Sequence, residues 1–132
     1  MPKKILIVED NTDLLELLCM NCEDAGFSTA SATNGVEALE KARTLLPDLI
    51  VLDLVLPELD GFAVCETLRK ESATAAVPII MLTGLSSQFS RYAGLESGGT
   101  DFFTKPASPN ALVSRIKHLL RDQPKDAEPA AK

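Results

Sequence analysis

Four short apolar runs of this chain end in residues that can act together on phosphorus. The run 5-ILIV-8 is followed by Glu9 and Asp10, 49-LIVL-52 by Asp53, 79-IIML-82 by Thr83, and 101-DFFT-104 by Lys105. Asp53 poses the sharpest question, because a carboxylate at the tip of a buried strand is costly unless paired or coordinated. Three carboxylates within about 4–5 Å repel by several kcal/mol at an effective dielectric near 20, so a proton or a cation must sit among them. Oxygen-only ligands suit Mg²⁺, which keeps part of its water shell and accepts substrate phosphate oxygens. With Mg²⁺ and Lys105 present, the positive charges balance the three acids. An Asp so placed, beside a hydroxyl and an ammonium, is equipped to attack phosphorus and hold the group as an aspartyl phosphate. Taken singly, each residue has a plainer reading. Asp after a strand caps or turns, Thr at a strand end is a β-former, and Lys before Pro is a solvated loop residue. Their recurrence at the same end of four strands carries the inference.

The elements that must position these residues are legible as alternating patterns. Apolar runs predict five strands, with 27-FSTAS-31 and 101-DFFT-104 the weaker pair of the set. Between them lie helical periods. Leu14, Leu18, Cys22 and Ala25 share one face, ended by Gly26, and Val36, Leu39, Ala42 and Leu46 share another, ended by Pro47. Gly61 to Lys70 and Ser87 to Glu96 are shorter helices. Leu112, Ile116, Leu119 and Leu120 form the last, opened by Ser108 as N-cap and Pro109 at the first helical position. Alternation of this kind predicts an α/β fold: a doubly wound five-stranded parallel sheet with helices on both faces. Strand C-termini then share one edge, where ligands of open parallel sheets bind.

Composition bounds the rest. With 132 residues, 45% hydrophobic and 24% charged, the chain is one globular domain, read as residues 1–121, followed by a polar tail or linker, 122-DQPKDAEPAAK-132. No apolar run approaches the roughly 18 residues of a membrane span, and no signal peptide opens the chain, so a cytoplasmic protein without a membrane partner is expected. A net charge of −6 argues against direct nucleic-acid binding, which needs clustered Lys and Arg. Three cysteines cannot make a disulfide framework. Cys19 and Cys22 form a CxxC, but inside a helical pattern rather than at a helix N-terminus, where a thiolate would be stabilised; they read as packing.

The motifs 5-ILIVEDN-11, 49-LIVLDLVLPELDG-61, 79-IIMLTG-84 and 101-DFFTKP-106 resemble those of the receiver domains of two-component response regulators, over roughly residues 3 to 121. The resemblance implies a flavodoxin-like (βα)5 fold with strand order 2-1-3-4-5. It implies that a sensor histidine kinase or phosphotransfer protein donates a phosphoryl group to Asp53. It implies Mg²⁺ held by Glu9, Asp10, Asp53 and the Val55 backbone carbonyl, and phosphoryl oxygens bound by Thr83 and Lys105. The peptide bond before Pro106 would be cis. Thr83 and Phe102 would form the switch, with Phe102 filling the space left when Thr83 moves inward, although Phe102 is also ordinary core packing. The output would be the face of the predicted fourth helix, fifth strand and fifth helix, acting on a downstream protein or effector domain. The resemblance also implies no enzyme activity beyond self-directed phosphoryl transfer and autodephosphorylation.

Some positions depart from the family's usual pattern. Ala107 follows Lys-Pro where Phe is usual, and Thr100 stands where Asp is frequent. Val55 and Leu85, each two residues past a site residue, are apolar where faster-hydrolysing members carry polar groups that orient water. Asp101 and Arg115 match charged members of a dimer network in winged-helix regulators, but Ala111 replaces an acid, so a monomer or weak phosphorylation-dependent dimer is expected. A haloacid-dehalogenase-type phosphatase would carry DxD where Asp53 is followed by Leu54 and Val55. A flavodoxin would need hydroxyls and backbone donors where 9-EDNTD-13 repels phosphate. A pure interaction module would have no need of all five site residues.

Overall fold

The computed structural model describes residues 2–57, 59–83, 96–105 and 108–121. Five strands run through it: β1 (Lys4–Val8), β2 (Ser28–Ala32), β3 (Leu49–Asp53), β4 (Ile79–Thr83) and β5 (Asp101–Thr104). They form one parallel sheet in the order β2-β1-β3-β4-β5. The described helices are α1 (Thr12–Asp24), α2 (Gly35–Leu45), α3 (Gly61–Lys70) and α4 (Pro109–Arg121). The helix expected over Ser87 to Glu96 lies almost wholly outside the described residues, as do the tail 122–132, Leu85, Pro106 and Ala107.

Period-two alternation divides the core between the two faces of the sheet. Leu6, Val8, Ile50, Leu52, Ile79 and Met81 point to the side of α2 and α3. Ile5, Ile7, Leu49, Val51, Ile80 and Leu82 point to the side of α1 and α4. All five residues of β3 are buried, Asp53 included, as expected for a central strand covered on both faces.

Helix starts follow capping chemistry. Asn11, Asn34 and Asp60 accept from the backbone N–H three residues on, at 3.1, 2.8 and 2.9 Å, and Ser108 does the same for α4 at 3.3 Å. The inward faces differ slightly from the sequence expectation. In α1 the buried residues are Leu15, Leu18 and Cys22, so Leu15 takes the place expected for Leu14. In α2 they are Gly35, Ala38 and Ala42, while Val36 and Leu46 are 50% and 57% exposed. Small side chains let α2 close onto the sheet, and a reading weighted by apolar size selects the larger neighbours instead. Leu46 also leaves the helical path, with φ 48°.

Candidate functional site

The sheet register builds the site. Val8 pairs with Leu52, so Glu9, the next residue, lies level with Asp53, and Asp53 pairs with Leu82. β4 and β5 end together at Thr83 and Thr104, which brings Lys105 to the same edge. Glu9, Asp10 and Asp53 each offer a carboxylate oxygen, and these oxygens lie within 4.8 Å of one another. Glu9 and Asp53 are buried and Asp10 is exposed.

Each buried carboxylate is held by its neighbours. Asp53 Oδ1 accepts from the Val55 N–H at 3.0 Å, and Oδ2 accepts from Lys105 Nζ at 3.1 Å. Glu9 Oε2 accepts from the Asn11 N–H at 3.1 Å. Lys105 Nζ also stands 2.9 Å from Glu9 Oε1, near enough to pair electrostatically. That contact is not directed as a hydrogen bond, and Oε1 is buried with no hydrogen-bond donor among the described residues. Burial pushes the Glu9 carboxyl up, and the Asp53 charge adds to this, against the pull of Lys105 and the Asn11 amide. Burial alone would lower Lys105, but pairing with Glu9 and Asp53 outweighs it and the net shift is upward. Three carboxylates against one ammonium leave two negative charges in excess. The all-oxygen donor set and the charge excess fit a divalent cation of the Mg²⁺ type.

Most of the expected site residues come together. Glu9, Asp10, Asp53 and Lys105 converge, and Val55, two residues after Asp53, is 56% exposed. Thr83 ends β4, and its side chain is outside the description. Pro106 lies outside the described residues, and with it the expected cis bond. Phe102 is buried in the core on the side of α2 and α3. Asn11 was not singled out from sequence, yet its amide orients Glu9 while its side chain caps α1. The signal was an N-cap residue directly after two acids. Beside the acids lies an open pocket of about 470 Å³ lined by Asp10, Thr12, Thr33, Asn34 and Pro57.

The other sequence features have structural roles. Cys19, Cys22 and Cys65 are free; Cys22 is fully buried and burial pushes its thiol up to about 12. Asp101 and Arg115 pair with each other across β5 and α4, Nε to Oδ2 at 2.5 Å. Among the described residues no helix is long and apolar enough to cross a membrane.

A five-stranded parallel sheet in this order, with an acidic cluster and a lysine at its C-terminal edge, defines a class. The family model for the response regulator receiver domain matches residues 5–117, and the chain belongs to that family of two-component signalling domains. Among similar proteins is the alkaline phosphatase synthesis transcriptional regulatory protein PhoP of Bacillus subtilis, 46% identical over 121 residues, 92% of this chain and 50% of that one. The DNA-binding response regulator MtrA of Mycobacterium tuberculosis is 42% identical over 130 residues, 98% of this chain and 55% of that one. Among solved structures, a CheY-like response regulator receiver domain protein from Methanospirillum hungatei superposes with a TM-score of 0.88 at 29% identity, covering 96% of this chain and 99% of that one. The BeF3-activated N-terminal receiver domain of Klebsiella pneumoniae RstA gives a TM-score of 0.84 at 31% identity, covering 91% and 100%.

The relatives correct one expectation. The chain's acidity, taken alone, argues against nucleic-acid binding, but relatives matched along nearly the whole chain are named DNA-binding regulators. The chain spans about half the length of the curated relatives it matches. A net charge of −6 belongs to the matched half and says nothing about what the remainder of such a protein contacts.

Proposed function

We propose that Asp53 accepts a phosphoryl group from the phosphohistidine of a sensor kinase or phosphotransfer protein in the cytoplasm, and that this sets a signalling output. One observation carries the reading. The Asp53 carboxylate lies among Glu9, Asp10 and Lys105 at an open sheet edge, with Lys105 Nζ 3.1 Å from Oδ2. Free cysteines are in keeping with a reducing compartment.

An Asp53 oxygen forms the new O–P bond while the N–P bond of the donor breaks, its electron pair remaining on the imidazole nitrogen. The Val55 N–H and Lys105 hold the carboxylate in one orientation, which lowers the entropic part of the barrier. Lys105 offsets charge on the transferring oxygens. Mg²⁺, held by Glu9, Asp10, Asp53 and the Val55 carbonyl, would neutralise further charge on the phosphoryl group. Thr83 would bind a phosphoryl oxygen, and its movement together with Phe102 would change the surface around β5 and α4 for an effector. The buried position of Phe102 is in keeping with the inward arrangement of that pair.

Incubation with acetyl phosphate and Mg²⁺ tests the acceptor. The parent should be labelled and Asp53→Asn should not; equal labelling of the variant would refute the assignment.

A further inference from the structure

Gly61 is the first residue of α3, and its backbone N–H donates to Leu54 O at 3.0 Å. A Cβ built on it would lie 2.4 Å from Asp53 O, 2.6 Å from Leu54 Cα and 3.1 Å from Asp53 C. All three are backbone atoms, so no side-chain rotation can relieve the overlap. Its φ is not in the left-handed region, so close approach alone demands glycine here. Gly35, the first residue of α2, meets the far end of the same loop: its Cβ would be 2.7 Å from Leu59 O. Two helix starts thus press on the loop that follows Asp53, and Gly61 presses on the peptide unit joining Asp53 to Leu54. Val55, one residue further on, orients Asp53 Oδ1 through its N–H.

We infer that Gly61 is a positioning residue for phosphoryl acceptance, setting the placement of the Asp53 carboxylate and the Val55 peptide by its lack of a side chain; this rests on the reading of Asp53 as acceptor. A methyl group there displaces the backbone carrying the attacking oxygen, and displacements near 1 Å cost up to about a hundredfold in rate. The effect falls on the step in which an Asp53 oxygen bonds phosphorus as the P–O bond to acetate breaks and acetate departs with the electron pair.

The test compares Gly61→Ala with Gly26→Ala. Gly26 closes α1 at φ +98° with nothing within 4 Å of its would-be Cβ, so alanine there brings backbone strain without contact at the site. Labelling rates by acetyl phosphate are measured across donor concentrations, and Mg²⁺ affinity by calorimetry, with the folded fraction followed by circular dichroism. Gly61→Ala should label on the order of tenfold or more slowly at saturating donor and bind Mg²⁺ more weakly, while Gly26→Ala loses stability and labels at the parent's rate. If Gly61→Ala is unfolded, a stabilising osmolyte restores the folded state for measurement. Labelling of folded Gly61→Ala at the parent's rate overturns the inference, as does failure to fold even with osmolyte, which would make the contact one of global stability. Equal labelling of the parent and Asp53→Asn would instead remove the acceptor reading itself, and the inference with it.

Discussion

Arg69 Nε donates to Gly98 O at 2.8 Å and ties the end of α3 to the residues that lead into β5. The same guanidinium reaches Thr74 O, Ala75 O, Val77 O and the Thr100 hydroxyl, so among the described residues its acceptors are neutral oxygens. Burial lowers its affinity for a proton. Arg69→Lys should therefore be destabilising, by about 1–3 kcal/mol, because one ammonium cannot span five acceptors on two separate segments. Thr100→Asp should act oppositely, adding roughly 0.5–1 kcal/mol by placing a carboxylate beside the guanidinium. Urea unfolding of both variants checks the pair of signs.

Metal should stabilise the fold, since it relieves repulsion among Glu9, Asp10 and Asp53. Mg²⁺ at about a hundred times its dissociation constant raises stability by about 2.7 kcal/mol if it binds the native state alone. The melting temperature should rise accordingly, and the gain should shrink in Asp10→Asn. A parent protein whose melting point ignores Mg²⁺ at neutral pH would exclude the metal site.

Val55 stands 56% exposed two residues beyond Asp53, with a side chain that cannot orient water. The phosphorylated protein should be comparatively long-lived. Val55→Asn combined with Leu85→Glu should shorten its half-life, measured as loss of label after donor removal; an unchanged half-life would show that these side chains do not govern hydrolysis.

Glu37 accepts from the Thr33 N–H and pairs with Lys41 at the start of α2, and these contacts lower its pKa, the backbone bond foremost. A folded-state pKa below the unfolded value means stability that is fully present above the unfolded value, about 4.3, and lost as pH falls through the folded one. The stability gap between the parent and Glu37→Gln should be constant at neutral pH and close on acidification below that point. Chemical unfolding at a series of pH values measures it. Asn34→Ala, which removes the cap itself, should cost about 1 kcal/mol.

The strands, and the meeting of Glu9, Asp10, Asp53 and Lys105 at their edge, were legible in the sequence because their signals are local. The runs of β1, β3 and β4 are short, apolar and ended by or followed by a residue of another kind, and the chain direction fixes which end of a parallel strand carries it. The inward face of α2 was less legible. Its contacts are made by Gly35, Ala38 and Ala42, and small residues signal burial only when something packs against them. Nor could sequence show that Arg115 and Asp101 satisfy each other within one chain, since their meeting depends on how α4 lies against β5. The demand for glycine at position 61 was likewise invisible, because it arises from backbone atoms that come near only after β3 and α3 have docked.

The contact between Lys105 and Asp53 joins residues 52 positions apart, through the last strand of the sheet. During synthesis the chain emerges with Glu9, Asp10 and Asp53 in order, and those three can assemble on β1 and β3 while β5 is still inside the ribosome. Until β5 has added to the open edge of β4, Asp53 lacks the Lys105 ammonium beside it. If Asp53 is the acceptor, a chain truncated before β5 should be a poor acceptor, and in a pulse-chase the competence to take phosphate should appear only with the completed sheet.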